Sequence, residues 1–124
     1  MGLAEILEKI ALELKSNKDL EVFSSEYWIN LRESTSARVG GGYCVEWCEQ
    51  AYRLIAKAGY GRLFIFQATG SHSWLEHESW RVGKFTADGT AGQFDPNFLK
   101  GYYGFIDTAP EKLVKIYNDG FKRH

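Results

Sequence analysis

Cys44 follows Gly40-Gly41-Gly42-Tyr43 and opens "CVEWCEQAYRLIAKAG", a run with helical period. A thiol attacks a carbonyl only as thiolate, and at an ordinary pKa of ~8.5 only about 3% is ionised near neutrality. Two influences lower that pKa, the positive end of a helix and a neighbouring imidazolium. The unpaired N–H groups of a first helical turn also suit an oxyanion, and glycines let backbone approach a substrate closely. Downstream, "TGSHSWLEH" carries His72 and His77, and "ADGTAGQFDP" carries Asp88 and Asp95. The order Cys, His, Asp supplies a nucleophile, a general base and acid, and a carboxylate that orients the base.

The elements that must bring these residues together can be read from periodicity. Leu3, Ile6, Leu7, Ile10 and Leu14 form the stripe of a buried helix that ends near Ser16-Asn17. "SSEYWINLRE" reads as a second, shorter helix and "STSARVGGG" as a loop. In the Cys44 helix, Val45, Cys48, Ala51, Tyr52, Leu54, Ile55 and Ala58 make the apolar stripe, and Gly59 closes it. From Arg62 the period becomes extended. "RLFIFQA" reads as a central strand, "HSWLEHESW" and "KFTADGTAGQFD" as a hairpin, and "YYGFID" as a further strand. "DTAPEKLVKIY" is a closing helix, capped by Asp107 or Thr108, with Pro110 near its first position. The terminal "FKRH" is too short to assign. Helices first, an antiparallel sheet after and a last helix make an α+β domain, taken as one unit over residues 1–124 with its core at 40–107.

This layout sets the pairing of the candidate groups. His72 and His77 are an odd number of residues apart, so a regular strand points them to opposite faces and only one can meet Cys44. His72, next to the small residues of "TGS", is the choice. A hairpin reversing at Gly83 places His72 near Asp95, the expected carboxylate, whereas a turn near Trp80 would bring Asp88 instead. Asp88-Gly89 reads as a turn in its own right, which favours Asp95. Tyr43, Gln67 and Trp74 are candidates for substrate or oxyanion contacts, and Glu76 reads as a solvated carboxylate near the site.

"GGGYC" opening a helix, then "HSWLE", then "FDP" resembles the core of the transglutaminase-like branch of the papain-like cysteine enzymes. That pattern is a Cys at a helix start, a His-x-Trp strand and a strand ending in Asp-Pro, and the likeness covers about residues 40–97. It implies Cys44 as nucleophile, His72 as acid–base and Asp95 as its partner, with Trp74 and Pro96 at the family's aromatic and proline positions. Relatives by fold carry out peptide hydrolysis, glutamine deamidation, amine transfer and arylamine acetylation. Small domains of this kind also resemble deamidase or peptidase toxins and effectors. The chain is shorter than an animal-type transglutaminase and shows no calcium-loop pattern.

The expected function is acyl transfer from a peptide bond or glutamine side chain through an acyl-Cys44 intermediate. Hydrolysis or deamidation is favoured over cross-linking, with a protein or peptide substrate and no cofactor. A zinc site from Cys44, Cys48, His72 and His77 is the alternative chemistry, although 23 residues between the pairs exceed the usual interval. A non-catalytic binding domain on the same fold is the other. A net charge of −1 with interspersed signs offers no basic stripe for nucleic acid. No apolar run is long enough to span a bilayer, and "MGLAEILEKIALELK" carries charges at helical spacing, unlike a signal peptide. A cytoplasmic protein, or a domain of a larger delivered one, is the expectation, with two free thiols rather than an intrahelical disulfide.

Overall fold

The structure, a computed structural model, describes residues 2–23, 44–69, 72–79, 83–119 and 121–123. The "SSEYWINLRE" helix, the glycine ramp and Tyr43 lie outside the described residues. Helix α1 (Leu3–Ser16) buries Leu7, Ile10 and Leu14 on one stripe. Asn17 then caps the short α2 (Lys18–Glu21), its side chain accepting from the Asp19 and Leu20 N–H groups. Helix α3 (Cys44–Lys57) begins at the candidate nucleophile and buries Cys44, Trp47, Cys48, Ala51 and Ile55. The buried face is therefore rotated from the expected one: Trp47 joins it, and Ala58 is exposed. At its C-terminus Gly59 takes φ +96°. The Gly59 N–H donates to Ala56 O and the Tyr60 N–H to Ile55 O, a Schellman closure that needs a residue free to adopt positive φ.

Five strands follow: β1 (Ile65–Ala68), β2 (Ser73–Ser79), β3 (Gly83–Asp88), β4 (Tyr102–Phe105) and β5 (Phe121–Arg123). They form one antiparallel sheet in the order β4-β3-β2-β1-β5, so the fold is α+β. Between β4 and β5 lies α4 (Glu111–Asn118), with Pro110 at its N-cap position and no side-chain cap from Asp107 or Thr108. Strand β5 comes from the tail that was too short to assign. Its three residues pair with β1, a partner 53 to 57 residues away that local pattern does not reveal. Among the described residues, no helix is long and apolar enough to cross a membrane.

Period-2 alternation splits the core into two layers. On one face Leu75, Phe85 and Ala87 pack against α1 and α3 through Leu7, Ile10, Trp47, Cys48, Ala51 and Ile55. On the other, Trp74 and Tyr102 pack with Ala91, Ile106 and the α4 residues Leu113 and Tyr117. The layers meet at the end of β3, where a Cβ on Gly89 would coincide with the Trp47 indole. Gly89→Ala is therefore expected to cost about 1–3 kcal/mol, seen as a lower midpoint in urea unfolding. An unchanged midpoint would show that Trp47 moves aside freely.

Candidate active site

The hairpin decides which carboxylate meets His72. In β2 and β3 the pairs run from Ser79↔Gly83 to Leu75↔Ala87, so Gly83, at φ +82°, already begins β3. Continued by one step, this register sets Asp88 opposite Trp74, diagonal to His72 and on the same face. The His72 Nε2 lies 2.8 Å from Asp88 Oδ2, with both side chains essentially inaccessible to solvent.

Asp95 is not at the imidazole, which corrects the expected pairing. It sits beyond β3, not at a strand end. Its Oδ1 accepts the Asn97 N–H at 3.0 Å, capping the 3-10 turn Pro96–Phe98. The Asp88-Gly89 turn signal was real, but the turn starts at the strand's last residue, so it holds Asp88 at the strand end.

Asp88 is wholly buried and surrounded by donors. The Tyr117 hydroxyl donates to Oδ2 at 2.8 Å, and Thr90 approaches Oδ1 with its N–H at 3.2 Å and its hydroxyl at 3.5 Å. Burial first, and then the Asp88 charge, push the Tyr117 phenol well above its usual range, so it remains a donor. Nothing local in the sequence marks Tyr117, 29 residues away on α4.

Cys44 and His72 are brought together. The thiol is hydrogen-bonded to the His72 ring and receives the Ser73 backbone N–H. Asp88 holds Nε2, which leaves Nδ1 as the ring nitrogen able to exchange a proton. Burial pushes the Cys44 thiol up, but the His72 hydrogen bond and charge and the Ser73 N–H outweigh it, and the net shift is downward. Burial likewise pushes His72 down, yet the Asp88 charge and hydrogen bond, joined by those of Cys44, raise it from 6.5 to about 9. Both shifts favour the thiolate–imidazolium form of the pair over the neutral one. Exposure falls in steps from Cys44 at 8% through His72 at 2% to Asp88 at 0%, so Cys44 is the outermost residue of the three.

The remaining candidates fall elsewhere. Trp74 is fully buried and stacks beneath His72 at 5.7 Å, supporting the ring from within. Phe94 closes on the same ring edge-on at 4.8 Å. The Gln67 side-chain N–H donates to Glu76 at 3.2 Å, which commits that amide to the sheet interior. Glu76, expected in solvent, is only 1% exposed, and the Trp74 indole N–H also reaches it, at 3.4 Å. His77 projects to the opposite face, edge-on to Phe64 at 6.1 Å, where burial pushes its pKa down. Cys48 is sealed in the helix-side core. The zinc set therefore does not converge, and no group of three or more metal-ligating side chains occurs among the described residues.

Gln93, like Thr90 and Tyr117, was not anticipated. Gln93, in the turn after β3, places its side-chain Nε2 3.0 Å from His72 Nδ1 and 3.4 Å from Thr90 Oγ1. Its position in the irregular "DGTAGQFD" stretch gave no periodic signal. Compared with protein-family models, curated proteins and solved structures, the chain matches none of them.

Proposed function

We propose that this chain is a cysteine acyl-transfer enzyme with a papain-like, transglutaminase-like core, in which Cys44, His72 and Asp88 act as nucleophile, acid–base and orienting carboxylate. The supporting observation is the unbroken chain of contacts from the Cys44 thiol through His72 to the buried Asp88, with Cys44 at the first position of a helix. Asp88 accepts the Nε2 proton of His72, which leaves Nδ1 to take the proton from the Cys44 sulfur. The thiolate attacks the carbonyl carbon of an amide, and negative charge moves onto the carbonyl oxygen, where first-turn N–H groups of the helix are suited to receive it. Imidazolium Nδ1–H then protonates the leaving nitrogen as the C–N bond breaks, giving a thioester. Water, losing a proton to His72, cleaves the thioester to an acid and restores the thiol pair.

The substrate class is a peptide bond or a glutamine side chain on a protein or peptide, with hydrolysis or deamidation favoured over amine transfer. Iodoacetamide at mildly acidic pH tests the reading directly. Cys44 is expected to react at least about 100-fold faster than the core thiol Cys48, because only the thiolate attacks, His72 lowers the Cys44 pKa, and Cys48 is fully buried. Slow, equal labelling of both would leave a binding domain in place of an enzyme.

A further inference from the structure

We propose that Gln93 is a positioning residue for His72, its side-chain amide holding Nδ1 on the side of the ring opposite the nitrogen held by Asp88. The contacts close into a ring: Asp88 Oδ2 to His72 Nε2, His72 Nδ1 to Gln93, Gln93 to Thr90 Oγ1, and Thr90 Oγ1 back to Asp88 Oδ1. Asp88 accepts only, so the Nε2 proton is constant. Nδ1 is the nitrogen whose state changes, from a lone pair in neutral imidazole to an N–H once it takes the Cys44 proton.

A side chain facing Nδ1 must therefore serve two opposite roles without leaving a buried polar atom unpaired. An amide can. Its N–H donates to the neutral ring, as in the contact observed, and after rotation about the terminal torsion its oxygen can share the Nδ1–H that the charged ring directs at the Cys44 sulfur. Glu in its ionised form would satisfy the charged ring alone, and Met would satisfy neither. Gln93 is only half-buried, and its backbone N–H donates to Thr90 O at 3.2 Å, so its base is fixed while the tip has room to turn.

This inference rests on the acyl-transfer reading for its purpose but not for its test. The nitrogen chemical shifts of His72 are followed by NMR from acid to alkaline pH in the full chain, in Gln93→Glu and in Gln93→Met. Gln93→Glu is expected to raise the His72 titration by about one unit or more, since a carboxylate then faces each nitrogen. Gln93→Met is expected to lower it, because the charge-assisted bond lost from the imidazolium is stronger than the neutral one lost from the imidazole. Iodoacetamide labelling of Cys44 should follow, its acid limb moving to higher pH in Gln93→Glu, because an added carboxylate opposes the thiolate as the Asp88 charge does. Three superimposed His72 titrations would overturn the Gln93 assignment whatever Cys44 does. Shifted titrations together with equal, slow labelling of Cys44 and Cys48 in the wild type would instead sink the acyl-transfer reading and leave the Gln93 contact standing.

Discussion

Cys44→Ser is expected to lower amide turnover by a factor on the order of 10⁵, while the protein remains folded. The side chains are nearly the same size, and serine can keep the hydrogen bond to His72. A hydroxyl is far less acidic than a thiol, however, so the pair no longer separates charge near neutrality. The loss should fall almost wholly on kcat, since the substitution removes the bond-forming atom and little binding surface. Unfolding in urea should stay close to the wild type, because Cys44 lies outside the tightly packed core that contains Cys48. Turnover of Cys44→Ser within tenfold of the wild type on both peptide and glutamine substrates would remove thiol chemistry from consideration.

Asp88→Asn carries the next largest effect, a loss of about 10³–10⁴-fold in kcat. The amide cannot neutralise an imidazolium, and His72 remains buried. Burial, the strongest influence on His72, is then opposed only by Cys44, so its pKa falls. The pH profile supplies the signature. In the wild type the alkaline limb reports loss of the His72 proton and is expected at about 9, and in Asp88→Asn it moves to lower pH.

The same shift affects stability. Because the folded-state pKa of His72 is raised, its contribution is complete below 6.5 and is lost as pH rises through about 9. Breaking this buried pair should cost about 3–5 kcal/mol near neutrality, with the gap between wild type and Asp88→Asn narrowing in alkali. Asp95→Asn is the control. Asparagine can still accept the Asn97 N–H, so turnover should stay within a few-fold of the wild type. If Asp95→Asn lost activity and Asp88→Asn kept it, the hairpin register described above could not be the functional one.

Part of this arrangement is legible in the amino-acid sequence, and the dividing line is physical. Residues a few positions apart decide where α3 starts and how it ends. Gly59 marks its close because only a residue tolerant of positive φ completes the Schellman bonds there. Strand parity likewise separates His72 from His77, since alternation in β2 belongs to the backbone itself. The α+β order followed from the same local rules.

The carboxylate did not, because it depends on a reversal between two strands. Moving the centre of a hairpin by one residue moves every cross-strand partner by two, so a turn two residues earlier than Gly83 carries the partner of His72 from the neighbourhood of Asp95 to that of Asp88. The tertiary structure alone settled that, as it did the docking of Tyr117 on Asp88, the reach of Gln93 to Nδ1 and the addition of β5 to the sheet edge. Short-range sequence specifies the elements because their hydrogen bonds close within a few residues. The site is specified by packing and register, whose hydrogen bonds close only once distant segments have met.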